Sequence, residues 1–131
     1  MSQFTIVPLS GSTDFRGILV TPTALGSAET IHTAQASASL PDLVSIEAFN
    51  SDTVARPLKL AWGGTTDPDD VLAFVLLPGE TRMIVHQRPI RNSLIIKAAS
   101  VTMTWVDGRS YTGSADKIVI TGGSYVQRQT S

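Results

Sequence analysis

The chain has 131 residues, no cysteine and a formal net charge of −1. That length suits one domain with its own core, and the missing cysteine excludes a disulfide framework and thiolate metal sites. The charge balance offers no broad attraction to nucleic acid or to an anionic membrane; with only 16% of residues charged, much of the surface is polar-neutral or apolar and suits burial against neighbours.

Apolar residues recur at a spacing of two, and turn formers punctuate the chain about every ten residues, which predicts short strands and almost no helix. QFTIVPL (3–9) reads as a first edge strand with Pro8 near its end. No signal peptide is expected there, because the segment has neither a basic leader nor a long apolar stretch. RGILVTPT (16–23) and SAETIHTAQ (27–35) are the next strands, and AQASASLP around 34–41 is a loop. LVSIEAF (43–49) alternates, with Val44, Ile46 and Ala48 on one face. PLKLAW (57–62) alternates again, with Leu58, Leu60 and Trp62 together. The turn formers Asn50-Ser51-Asp52 between them predict a hairpin or neighbours in one sheet.

VLAFVLL (71–77) is apolar on both faces and far too short for a membrane span. Pro78-Gly79 predicts a turn before TRMIVHQ (81–87). RPIRN (88–92) reads as an irregular link, followed by strands in SLIIKAA (93–99) and VTMTWV (101–106). Asp107-Gly108 predicts a type I′ hairpin, and Gly122-Gly123 a second hairpin between KIVIT (117–121) and SYVQR (124–128). Residues 129–131 read as a frayed tail, and 1–15 suit an extended N-terminal arm. The sum is a single all-β domain, 1–131, an antiparallel β-sandwich or jelly roll.

Each residue group with chemical potential has a plainer reading. Asp67, Asp69 and Asp70 invite a calcium site, but TTDPDDVLA lacks the spread ligands, central Gly and distal Glu of a calcium loop. Gly63-Gly64 is followed by neither the lysine nor the helix of a phosphate loop, so it reads as a bulge or turn. His32 and His86 read as packed or solvated, and nothing in the sequence assembles His32 with Glu29 and Asp14. No Gly-x-Ser-x-Gly elbow occurs, and Glu29, Glu47 and Glu80 are a small pool for paired carboxylates. Trp62 and Trp105 continue alternating apolar faces, so core packing is expected. Arg88, Arg91 and Lys97 have no aromatic beside them in sequence for a nucleic-acid platform. The expectation is a non-enzymatic protein with no cofactor, no metal, and neither nucleic acid nor membrane as partner.

One stretch asks for a partner. A strand apolar on both faces needs cover on both sides, from its own chain or from a neighbouring subunit. The candidates for self-association are Leu72, Phe74 and Leu76, or the opposite set Val71, Ala73 and Val75.

Across 43–100 the succession VSIEAFNSDTVARP, LKLAWGGT, VLAFVLLPGETRMIV and SLIIKAAS resembles small β-sandwich structural proteins in virions of tailed bacteriophages. The resemblance is one of strands and turns, so it transfers no functional residue. It implies a capsid decoration, head-fibre or neck role, with trimers common. The expected function is a capsid decoration or cementing protein, made in the host cytoplasm and placed on the capsid surface. Its expected partners are itself, as a homo-oligomer and by preference a trimer, and the major capsid protein or other virion proteins. The alternatives are a neck, tail or head-fibre part, or a carbohydrate-binding module.

Overall fold

Alternation decides which side of each strand is buried. In β4 (Asp42–Asn50) every second residue from Asp42 through Val44, Ile46 and Ala48 to Asn50 is buried. In β5 (Arg56–Trp62) Leu58 and Leu60 are fully buried. Burying an aliphatic side chain of this size contributes about 1.5–3 kcal/mol, which fixes the register because a slip of one residue would turn the whole set to water.

A computed structural model describes residues 2–64, 66 and 69–129. The other strands are β1 (Ser2–Pro8), β2 (Ile18–Val20), β3 (Glu29–Thr33), β6 (Val71–Leu76), β7 (Thr81–Ile90), β8 (Ile95–Ala99), β9 (Met103–Thr104), β10 (Ser110–Tyr111) and β11 (Ile118–Gln129). All pairings are antiparallel: β1 and β2 with β11, β3 with β8, β4 with β7, and β5 with β6. The chain is thus a long ribbon whose tip is the β5–β6 hairpin. Rolling that ribbon pairs β11 with β4 and β5 with β8. It makes one sheet of β1/β2–β11–β4–β7 (sheet A) and another of β3–β8–β5–β6 (sheet B). This is a jelly roll, an all-β antiparallel sandwich as the alternation predicts. The core lies between the sheets, with Val44, Ile46, Ile118 and Ile120 from sheet A facing Leu58, Leu60, Ile96 and Ala98 from sheet B.

Four local readings of the sequence are corrected. The strands at 43–49 and 57–62 are neither a hairpin nor neighbours; β4 and β5 lie in opposite sheets. Two strands with one buried face each can cover each other across a core as well as side by side, and the corner at Asn50 selects the first. Asn50 is buried, its Nδ2 donates to the carbonyls of Val54 (2.9 Å) and Leu76 (3.0 Å), and its Oδ1 accepts from the Asp52 N–H (2.9 Å). It ties together the two places where the chain crosses between sheets, because Gly79 N–H also donates to the Asn50 carbonyl (2.9 Å). Replacing Asn50 with alanine is expected to cost about 2–4 kcal/mol, since buried carbonyls lose their donor; urea denaturation measures it.

The link at 88–92 is strand as far as Ile90, because β7 is an edge strand and tolerates Pro89. Asp107-Gly108 does form a hairpin, but not a type I′ turn. Gly108 alone of the pair has positive φ (87°), and both Gly108 N–H to Trp105 O and Trp105 N–H to Arg109 O close the loop. Val106 and Asp107 are therefore the central residues, with Gly108 forming the following bulge. Gly122-Gly123 is no hairpin at all; both glycines sit inside the unbroken strand β11.

The segment expected as an arm starts with a strand paired along its own chain, β1 on β11 from Ser2 to Pro8. Of the tail, Gln129 closes β11, while 130–131 lie outside the described residues. No helix among the described residues is long and apolar enough to cross a membrane.

Candidate interaction surface

The outer face of sheet A is built by the residues that alternate with the core set. Register aligns them in rows across the strands: Ile6, Tyr125, Leu43 and Pro89; then Thr121, Glu47 and Met83; then Leu19, Val119, Phe49 and Thr81. A sandwich normally hydrates this face with polar side chains. Here Ile6 is 56% exposed, Met83 50%, Leu19 43% and Phe49 38%. Glu47 is the one ionisable carboxylate in those rows.

Phe15 adds to this face from the loop between β1 and β2. It lies against Gly123, whose missing side chain leaves room for the ring, and it is 48% exposed. Its backbone, like that of Asp14, is left-handed (φ 64° and 52°). An aromatic residue is strained there, so the turn holds Phe15 on the surface at a cost. Ser12 stabilises the turn by donating its Oγ–H to the Arg16 carbonyl (2.5 Å). Around them Ile6, Phe15, Ser45, Gly122, Gly123 and Tyr125 line a shallow depression of about 270 Å³.

The six candidates on β6 divide by parity. Leu76 is buried in the core of its own chain, and Leu72 and Phe74 pack half-buried against that core. Val71, Ala73 and Val75 point outward on sheet B, in rows that include Lys59 of the adjacent β5 and, one strand further, Lys97 of β8. The first apolar set is thus largely satisfied within the chain, and the second shares its face with cations.

β6 and β7 are adjacent free edges of the two sheets. The gap between them is lined by Leu72, Phe74, Ile84 and the 85–89 segment, with a volume of about 490 Å³. A second cleft of about 400 Å³, which shares Pro89 with it, is formed by Pro41, Trp62, Pro89, Ile90, Arg91 and Leu94. Trp62 is half-buried rather than a core residue. Its indole N–H donates to the Pro89 carbonyl (3.2 Å), and the Arg88 guanidinium lies 5.1 Å over its ring. The sequence leaves the basic residues without an aromatic; the fold supplies one from another sheet. A sugar platform would need a ring face beside amides or carboxylates, and the described lining of this cleft includes no amide or carboxylate side chain.

The groups that suggest chemistry are placed structurally. His32 meets neither Glu29 nor Asp14 but Asp42, at 2.7 Å between Nε2 and Oδ2, with both residues buried. Its Nδ1 accepts the Ser10 N–H (3.0 Å). The ring proton therefore sits on Nε2 and points at Asp42, which leaves no nitrogen free to act as a base. Asp42 Oδ1 and Ser124 Oγ are buried without a partner among the described residues. His32→Leu is expected to cost about 3–5 kcal/mol by stranding the carboxylate. Asp42→Asn keeps the acceptor and is expected to cost about 1 kcal/mol or less. Thermal unfolding of the two variants reads the asymmetry.

His86 is exposed. Asp70 closes the β5–β6 tip: its Oδ2 accepts the Thr66 N–H (3.2 Å) and its carbonyl accepts the Trp62 N–H (2.7 Å). Asp67 lies outside the described residues. No three His, Asp or Glu residues among those described converge on a common point. Asp52 is held below its ordinary 3.8 by the Thr53 N–H and then by Arg56. Its small contribution is present above that value and fades as pH falls through the lowered one.

Comparison with known proteins adds no parallel: no family model, no curated protein and no solved structure matches the chain.

Proposed function

We propose that the chain is a non-enzymatic structural protein that works by self-association and by cementing a protein lattice, as a decoration protein on the capsid of a tailed phage. It is made in the host cytoplasm and partners itself and the major capsid protein. The observation that carries the assembly half is the apolar outer face of sheet A. Four strands about 4.8 Å apart and seven residues at about 3.4 Å give a footprint of roughly 450 Å². That footprint includes Glu47, Thr81 and Thr121 as well as the apolar residues, and it is more than half of the ~800 Å² each partner contributes to a standard interface. A face this apolar wants an equally apolar cover, and the same face on a second copy provides one. The virion half rests on the strand-and-turn resemblance across 43–100. The jelly roll is compatible with it, since that architecture recurs in viral capsid domains, but it recurs in lectins too.

Light scattering at micromolar concentration tests the assembly. An oligomer is expected, three copies by the resemblance, and a monomer would overturn it. Antibody labelling of intact particles in electron micrographs tests the location; unlabelled capsids carrying an otherwise complete set of proteins would remove the chain from their surface.

A further inference from the structure

The groove along the free edge of β7 has a different chemistry from the face of sheet A. We infer that it binds an extended, acidic segment of a partner protein, held as an added strand beside β7 with an apolar side chain in the Trp62–Leu94 cleft.

The gap between β6 and β7 and the cleft at Trp62 share Pro89 as a lining residue and follow one another along residues 84–91, so we take them as one channel. Seven residues of strand span about 23 Å. Both walls are strands with a partner on only one side, and an unpaired edge offers N–H and C=O groups to an incoming backbone, except at Pro89, which has no N–H and whose carbonyl accepts from Trp62, and at the Val75 carbonyl, which accepts from Arg82. The floor is apolar, from Leu72, Phe74 and Ile84 at one end to Leu94 at the other. An extended peptide presents alternate side chains to the two sides of such a channel, one set inward to the floor and one outward.

Residues 81–97 carry Arg82, Arg88, Arg91 and Lys97 and contain no aspartate or glutamate, in a chain whose net charge is −1. Arg88 and Arg91 stand at the channel, and neither they nor Lys97 form an ion pair with any described residue. Arg88 is held in place by the Trp62 ring, an arrangement that fixes a guanidinium without neutralising it. The outward set of the bound strand is therefore acidic. Nucleic acid is the lesser fit: it cannot use a strand edge, and Arg88 already stacks over one face of the Trp62 ring.

The test uses the full chain with Trp105→Phe, so that Trp62 alone reports by fluorescence, alongside calorimetry. The probes are an acetylated decapeptide alternating Glu with Val and Leu, the same peptide with Lys for Glu, and a ten-nucleotide oligothymidine. The Glu peptide is expected to bind and shift the Trp62 emission, and the other two to leave it unchanged. Arg91→Glu, at an exposed position, is expected to weaken binding at least tenfold, and Leu94→Asp to do the same. Failure of the Glu peptide to bind, equal binding by the Arg91→Glu variant, or tighter binding of oligothymidine would each overturn the inference. The oligomer mass of Arg91→Glu separates this site from self-assembly, because a groove variant leaves the sheet A face intact.

Discussion

Phe49→Lys is expected to convert the assembled protein to monomers while leaving its folding stability nearly unchanged. Phe49 stands in the row Leu19, Val119, Phe49 and Thr81, in the second strand from the β7 edge. Its side chain is 38% exposed and points away from the core. Lysine keeps the backbone ladder and adds no buried charge in the monomer. In an assembly sealed by that face, it places an ammonium group in an apolar contact. Aromatic anchors at an interface contribute about 2 kcal/mol or more, so self-association should weaken by at least ~30-fold. Sedimentation across a concentration series reads this as a shift in midpoint, and urea denaturation verifies the fold. Val75→Lys on the outer face of sheet B, where Lys59 and Lys97 already stand, is the matched comparison and is expected to leave the mass unchanged. If Val75→Lys dissociates the protein and Phe49→Lys does not, the contact lies on β6 and the face of sheet A is idle.

That comparison turns on what alternation says and what it omits. Val44, Ile46 and Ala48 are legible as one face, and so are Leu58 and Leu60, because burial on one side leaves a period of two. The pattern does not say which strands share a sheet. β4 and β5 are consecutive and similarly patterned, yet β4 pairs with β7 and β11 while β5 pairs with β6 and β8, and the hydrogen bonds of buried Asn50 hold the corner between the layers. The apolar outer face of sheet A is hidden for a related reason. Ile6, Leu19, Phe49, Met83 and Tyr125 are far apart in sequence and each lies next to residues of the core face, such as Ile18 and Val20 on either side of Leu19, and pairing across five strands makes them contiguous. VLAFVLL is conspicuous in sequence because its apolar residues are consecutive, yet half of them complete the core beneath them. Trp62 and Arg88 are 26 positions apart and meet only because the edge of one sheet overhangs the end of the other.

Gly122 shows how a turn signal is misread and where the largest loss of stability is expected. Adjacent glycines between two alternating runs suggest a hairpin, but β11 passes straight through them, paired on one side with Ser45 and Ile46. A Cβ at Gly122 would collide with the Ser45 carbonyl oxygen and press on the Ile46 Cα at 3.1 Å, and φ there is +154°. The obstacle is backbone of the adjoining strand, which cannot rotate aside. Strained backbone contributes about 1–3 kcal/mol and overpacking about as much again, so Gly122→Ala is expected to lose about 3–5 kcal/mol, a large share of the stability of a domain this size. Two other glycines separate the causes. At Gly79 φ is +71° with nothing within 4 Å, so alanine should cost about 1 kcal/mol from conformation alone. At Gly26 nothing lies within 4 Å and φ is not positive, so alanine should be neutral or slightly stabilising, by less than ~1 kcal/mol. Urea midpoints in the order Gly122→Ala far below Gly79→Ala, with Gly26→Ala at or above the parent, are the expected series. Equal losses at Gly122 and Gly79 would show that β11 and β4 do not approach as closely as described. Because that approach aligns Val119 with Phe49, Gly122→Ala should also lose self-association, and with it stability, whereas Phe49→Lys loses self-association alone.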